Sequence, residues 1–233
     1  MLDEMRKTVL APIHRDGWPF IAAFALIAIL LGTAVSEALG WLGALATAWC
    51  AFFFRDPERV TPLRGDLVVS PADGLVQAIQ PTVPPAELAM PPGTRIRVSI
   101  FLNIFDVHVN RVPADGVVTR LAYRQGKFFN AALDKASELN ERQSVRLTCR
   151  DGRELGFVQI AGLVARRIRC DLKEGQTVRA GERFGLIRFG SRLDVYLPPG
   201  VHPLVAVGQR MVGGETVIAD LASDELPRSG EVR

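Results

Sequence analysis

From Trp18 to Ser36 no residue is charged, and after a single Glu37 the same holds from Ala38 to Phe54. Two apolar runs in such close succession predict two helices. At 1.5 Å per residue each spans roughly 25–28 Å, the short end of what crosses a hydrocarbon core of about 30 Å. Arg6, Lys7 and Arg15 precede the first run, and Arg55, Arg59 and Arg64 follow the second. Basic flanks at both outer ends predict an up-and-back membrane hairpin over residues 18–54 with both ends in the cytoplasm. Trp18, Trp41 and Trp49 suit the interface, and "AFFFRD" reads as a membrane exit. A secretory signal is the competing reading, since "LGTAVSEALG" has small residues of the kind found at cleavage sites. The second apolar run following at once favours a retained anchor.

Beyond residue 60 the pattern changes to brief alternating stretches punctuated by Gly and Pro: "DLVVSPADGLVQAI", "RIRVSIFL", "GVVTRLAYR", "SVRLTCR", "LGFVQIAGLVARRI", "RFGLIRF", "LDVYLP" and "ETVIADL". Short strands at that spacing predict a β-sandwich or barrel. "NAALDKASELNERQ" reads as a helix or loop, and "ASDELPRSGEVR" as a frayed tail. Two internal echoes refine the picture. "SPADGLV" at 70–76 returns as "VPADGVV" at 112–118, and "GQTVRAGE" at 175–182 returns as "GQRMVGGE" at 208–215. Each sets a turn leading into a strand, so the expectation is a duplicated β motif of two interlocked halves. Lipoyl and biotinyl carriers use similar turn chemistry. The fold class is thus mainly β, a duplicated sandwich or barrel of lipoyl-like hybrid type, with an N-terminal membrane helical hairpin. The expected domains are an anchor over 1–60, a β domain over 61–221 and a tail over 222–233.

Composition adjusts this only at the edges. Of 233 residues 48% are apolar, an excess concentrated at the N-terminus. A net charge of +3 is too mild and dispersed to argue for a nucleic-acid partner. Cys50, Cys149 and Cys170 show neither metal spacing nor an even count, so neither a zinc site nor a disulfide framework is expected, and a reducing compartment is the default.

"GLIRFGSRLDVYLP" sets Gly190-Ser191 between two strand-like runs, and that pair is poor material for a sheet interior. Pinned in a tight turn, the Ser191 hydroxyl can attack the carbonyl of Gly190. Glycine helps because no Cβ shields that carbonyl and because it tolerates strained dihedrals. The amide C–N bond is exchanged for an ester. β-Elimination then releases Gly190 as a carboxylate and leaves dehydroalanine at 191, and tautomerisation and hydrolysis with loss of ammonia yield a pyruvoyl group.

These residues resemble the phosphatidylserine decarboxylase proenzymes, specifically their short, compact branch. The likeness covers nearly the whole chain: the apolar N-terminus with "FFRDPER", then "VVSPADGLV", "IFLNIFDVHVNRVPADG", "GKFFNAALDKASELNERQ" and "GERFGLIRFGSRLDVYLP". It implies self-cleavage before Ser191 into a β chain of 1–190 and an α chain of 191–233 headed by a pyruvoyl group. It also implies an anionic phospholipid substrate, phosphatidylserine, converted to phosphatidylethanolamine and carbon dioxide at the cytoplasmic face of an inner membrane. Pyruvoyl acts as electron sink in place of pyridoxal phosphate, which removes the need for a Schiff-base lysine; Lys127 and Lys135 are the only lysines in motif-like regions.

His108, in "FDVHVNRVP", is the candidate acid/base, able to take the Ser191 proton in maturation and later to protonate the substrate. A structural histidine bonded within a strand is the alternative. The resemblance selects Asp73 over its echo Asp115 as the residue that orients the base, against the plain reading of an Asp-Gly turn. The longer bacterial branch has a second histidine three residues on, where this chain has Arg111. Either His108 serves both steps or another group drives self-cleavage. Arg111 itself reads as a contact to phosphate or carboxylate, or as a solvated strand arginine. His14 reads as an interface residue and His202 as structural. "GKFFNAALDKASELNERQ" reads either as a helix burying Phe128, Phe129 and Leu133 or as a mobile flap. Two other functions stay open: the same chemistry on another serine phospholipid such as an ether lipid, or a non-catalytic, membrane-tethered lipoyl-like adaptor. The adaptor is disfavoured because neither echoed turn offers a lysine.

Overall fold

The computed structural model describes residues 11–126, 140–162, 168–188 and 190–231. It divides into two compact units, Met1–Glu58 and Arg59–Arg233.

The first unit is a pair of helices. α1 (Trp18–Ala34) follows a short 3-10 turn, Arg15–Gly17, whose N-cap is His14, Nδ1 accepting from the Asp16 amide at 3.3 Å. His14 thus caps this turn. α2 (Glu37–Phe53) starts at Ser36, whose Oγ accepts from the Leu39 amide at 3.3 Å. Small residues let the backbones meet: a Cβ on Gly40 would stand 2.7 Å from Gly32 Cα, and one on Gly43 2.7 Å from Ala28 Cα. Close small-residue packing is how helices associate in lipid. The outer ends are joined by His14 N–H to Phe54 O (2.8 Å) and Asp56 N–H to Pro12 O (2.7 Å). Trp18, Leu26, Ile27, Ile29, Leu30, Trp41, Leu42 and Leu45 all face outward and are exposed. Arg15–Ala34 is long and apolar enough to cross a membrane, and Glu37–Phe53 is shorter.

The second unit is mainly β, and among the described residues all its pairings are antiparallel. Its strands are β1 (Leu67–Val69), β2 (Gly74–Thr82), β3 (Arg95–Leu102), β4 (Val109–Arg111), β5 (Gly116–Arg124), β6 (Arg142–Cys149), β7 (Glu154–Ala161), β8 (Ile168–Cys170), β9 (Thr177–Val178), β10 (Arg183–Ile187), β11 (Ser191–Tyr196), β12 (Arg210–Met211) and β13 (Val217–Asp220). The largest sheet runs β12-β2-β3-β11-β7-β6-β5-β9, beside a β1-β13 pair and a β4-β10-β8 trio. Val76, Val98, Ile100, Val118, Leu147, Phe157, Leu193 and Val195 share one core, at about 1.5–3 kcal/mol per fully buried large side chain. "NAALDKASELNERQ" lies mostly outside the described residues, but its last two, Arg142 and Gln143, open β6. They pair with Ile160 and Gln159 there, so the ladder overrides the helical pattern at that end.

The strand order of the large sheet is palindromic, and the two echoes explain why. Asp73 Oδ1 accepts the Gly213 amide at 2.8 Å, and Asp115 Oδ1 accepts the Ala180 amide at 2.8 Å. The Gly214 amide donates to Ser70 O (2.7 Å) as the Gly181 amide donates to Val112 O (2.8 Å). Leu75 pairs with Arg210 as Val117 pairs with Thr177, and both β2 and β5 break register one residue further on. Each "PADG" turn is thus clamped by one "GQ…GE" turn. One half is continuous from 109 to 187; the other is split into 67–102 and 191–220.

The split falls at an informative place. In the continuous half, β6 turns into β7 through Gly152, at φ +83°, with its amide on Cys149 O at 3.0 Å. In the split half, β3 and β11 pair as β6 and β7 do, but no turn joins them. The whole other half is inserted there, and the chain re-enters through Gly190, at φ +68°. The register places Gly190-Ser191 where the other half has Gly152-Arg153.

Candidate active site at the start of β11

Ser191 was expected in a turn between two strands; it is instead the first residue of β11, opposite Leu102 of β3 and Ala161 of β7. Only Gly190 lies outside the strand. A Cβ on Gly190 would meet nothing within 4 Å, so its positive φ, not crowding, requires glycine there. The inserted half delivers Ser191 straight into a two-sided ladder, which is why a residue of weak β preference can occupy it. Ser191 is fully buried, and its Oγ has no hydrogen-bond partner among the described residues.

Alternation along β11 separates two environments. Leu193 and Val195 share the Ser191 face and enter the main core. Arg192, Asp194 and Tyr196 take the other face, where Arg192 donates to Asp194 Oδ2 at 3.0 Å and Tyr196 packs with Leu88, Val158 and Ile160. Burial pushes the Tyr196 phenol well above its ordinary value, the Asp194 charge adding to the effect.

His108 precedes β4 and is fully buried, with Nδ1 3.0 Å from Asp106 O. Its carbonyl accepts the Ile187 amide at 3.4 Å, four residues before Ser191. Asp73 sits in the echoed turn, its carboxylate holding the Gly213 amide and meeting Arg59 at 2.7 Å. Asp115 is used the same way, on Ala180 and on Arg150 at 2.8 Å. The Arg111 amide donates to Pro71 O at 2.9 Å, which ties the segment carrying Asp73 to the strand that follows His108. Arg111 is buried rather than solvated, its guanidinium on Gly181 O at 2.8 Å. His202, which reads as structural from its Pro-rich loop, is half-buried there.

Three polar residues missed from the pattern belong to this neighbourhood. Gln159 lies opposite Leu193 on the Ser191 face, and its Nε2 donates to Asn110 Oδ1 at 2.8 Å. Asn140 Nδ2 donates to Ala161 O at 2.7 Å, directly across from Ser191. All three are buried. Gln159 had a signal, a polar residue inside the otherwise apolar "GFVQIAG"; Asn110 in "VHVNRV" and Asn140 in "ELNERQ" sit among other polar residues and had none. Among the described residues Ser191 Oγ, Asn110 Nδ2 and Gln159 Oε1 are buried without hydrogen-bond partners. Such groups are rare in folded interiors and mark places where something else is received. The described residues contain no metal-type cluster of His, Cys, Asp and Glu.

Ser191 is thus buried behind a positive-φ glycine, and Asn110 and Gln159, bonded to each other, keep unfilled polar valences. Comparison with known proteins identifies the family. Residues 46–219 match the family model described as phosphatidylserine decarboxylase. A phosphatidylserine decarboxylase proenzyme of Paramagnetospirillum magneticum is 61% identical over 98% of this chain and 95% of its own length. One of Cereibacter sphaeroides is 58% identical over the full length of both chains. A third, of Rickettsia bellii, is 59% identical over 89% of this chain and 90% of its own. The chain belongs to the phosphatidylserine decarboxylase family.

Proposed function

We propose that this protein decarboxylates phosphatidylserine to phosphatidylethanolamine, using a pyruvoyl group made from its own Ser191. The observation that carries the reading is Ser191 itself, a buried hydroxyl without a partner among the described residues, at the re-entry point of a split repeat. In the continuous half the equivalent bond belongs to an ordinary hairpin.

In maturation Ser191 attacks the Gly190 carbonyl, and His108 takes its proton. Asp73 orients this chemistry through the segment it shares with Pro71 and, by the Arg111 amide, with β4. Cleavage there breaks no ladder. β11 stays between β3 and β7, β12 on β2 and β13 on β1, so chains 1–190 and 191–233 remain one folded unit. The residues present fit a small keto-acid group at 191: Gln159, on the sheet face that carries Ser191, and Asn110 bonded to it offer an unused acceptor and donor. When formed, the pyruvoyl group supplies the electron sink for loss of the carboxylate. His108 then delivers a proton to the substrate carbon, and the buried setting keeps water from competing.

The β unit reads as a lipoyl-like hybrid over 61–221, with 222–233 as a tail. The helix pair reads as the membrane anchor of a domain over 1–60, held at the cytoplasmic face by Arg15, Arg55, Arg59 and Arg64. Its outward apolar side chains and small-residue packing support that reading. The test is release of labelled carbon dioxide from carboxyl-labelled phosphatidylserine by the purified protein. Release that continues in a Ser191→Ala variant would overturn the reading.

A further inference from the structure

β3 leaves the sheet through a turn at 103–106 that leads to His108. The Asp106 amide donates to Asn103 O (3.0 Å), the Phe105 amide to Asn103 Oδ1 (2.8 Å) and the Asn103 amide to Asp106 Oδ2 (2.9 Å). Arg210 closes the set with an ion pair to the buried Asp106. So many local bonds make the turn rigid, yet its tip is apolar: Ile104 is 43% exposed and Phe105 60%. Leu75, also exposed, lies opposite both Phe101 and Arg210 in the adjacent ladders.

The duplication supplies an internal control. At the matching strand end of the continuous half the turn reads Arg150-Asp151-Gly152, with Arg153 on Asp151 at 2.5 Å and the Arg150 side chain 67% exposed. The scaffold therefore does not call for an apolar tip. Only the half that carries Ser191 has one, at the end of β3, and Arg210 beside it, 63% exposed, replaces the neutral Thr177 of the other half.

We propose that the 103–106 turn is a lipid-inserting wedge. Ile104 and Phe105 enter the boundary between headgroups and acyl chains, and Arg210 meets the anionic headgroups. Because Leu102 pairs with Ser191, this holds the start of β11 at the depth where a serine headgroup lies. A pair of apolar side chains with a flanking cation is the composition that binds an anionic bilayer surface. The inference rests on the lipid-decarboxylase reading and adds a membrane contact in the β unit, separate from α1 and α2.

The test uses the full chain and two presentations of substrate: phosphatidylserine in phosphatidylcholine vesicles, and a short-chain phosphatidylserine below its micelle concentration. A double variant, Ile104→Asn with Phe105→Asp, is expected to lose ten-fold or more of its rate on vesicles. It should still cleave itself and keep within two-fold of the parent rate on dispersed lipid. Equal loss on both substrates, or no loss on vesicles, would overturn the wedge. In a second arm a benzophenone side chain at 105 is irradiated on vesicles; a crosslink to phospholipid is expected, and none from position 151. A crosslink only to another copy of the chain would make the tip a protein interface and end the proposal. This arm decides the matter if the double variant fails to mature. Failure of the parent on dispersed lipid would instead sink the decarboxylase reading.

Discussion

The two halves of the β unit share strand order, bulges and the Asp-to-amide clamp of each turn, yet one closes with a hairpin and the other with the bond at Gly190-Ser191. The difference lies in what the sequence places at equivalent strand ends. The continuous half has Arg150, Asp151, Gly152 and Arg153, all suited to an exposed turn. The split half has a fully buried serine at the start of β11 and an apolar tip at the end of β3, from which the connection carrying the buried His108 leads into the continuous half. A common scaffold therefore fixes the positions, and function enters where the repeat is interrupted. Backbone torsion alone does not make the site, since Gly152 and Gly190 both adopt positive φ.

Substitutions at paired positions test that contrast. The largest effect is expected at the strand start: Ser191→Ala abolishes self-cleavage and decarboxylation, whereas Arg153→Ala leaves both intact on gels and in a carbon dioxide assay. Next, His108→Gln should lower the decarboxylation rate by about 10²–10⁴-fold, the usual worth of a positioned acid/base, without unfolding the protein. Unchanged turnover would return His108 to a structural role. At the glycines, Gly190→Ala and Gly152→Ala should each cost roughly 1–2 kcal/mol in denaturant unfolding of an uncleavable Ser191→Ala background, since a Cβ at positive φ is strained. In the cleavable protein only the change at 190 should also slow maturation.

The aspartates give a finer comparison. Asp73→Ala and Asp115→Ala each leave a turn amide without its acceptor, a loss of about 1–3 kcal/mol. If Asp73 also orients the base, it alone should slow self-cleavage; equal and purely structural effects would remove it from the mechanism.

The smallest effect is in pH dependence. Burial pushes the Cys149 thiol up to about 12 and the Cys170 thiol up to about 11. The folded state therefore holds these protons more tightly than the unfolded chain, whose thiols titrate near 9.0. Stability is undiminished below that value and falls as pH rises through the folded values. Cys149→Ser and Cys170→Ser should flatten the alkaline limb of the stability curve.

Much of this was legible beforehand because it rests on local chemistry. Gly and Pro mark many of the strand boundaries, and the duplicated "PADG" and "GQ…GE" strings name residues that turn out to clamp one another. The interruption of one repeat by the other was not legible, because it is a fact of register between strands far apart in sequence. For the same reason Ser191 read as a turn residue: nothing local says that β3 and β7 flank it. Arg111 read as a phosphate contact or a solvated arginine because the carbonyl it satisfies, Gly181, belongs to the opposite turn. Gln159 and Asn110 stand far apart in sequence, and only the fold brings them together.

The most direct measurement is the intact mass of the purified, active protein under denaturing conditions. Two chains are predicted, residues 1–190 and 191–233, the smaller with a keto-acid in place of its N-terminal serine and refractory to Edman sequencing. Full activity in a single chain of 233 residues with an unmodified Ser191 would contradict the split-repeat site as the source of the chemistry.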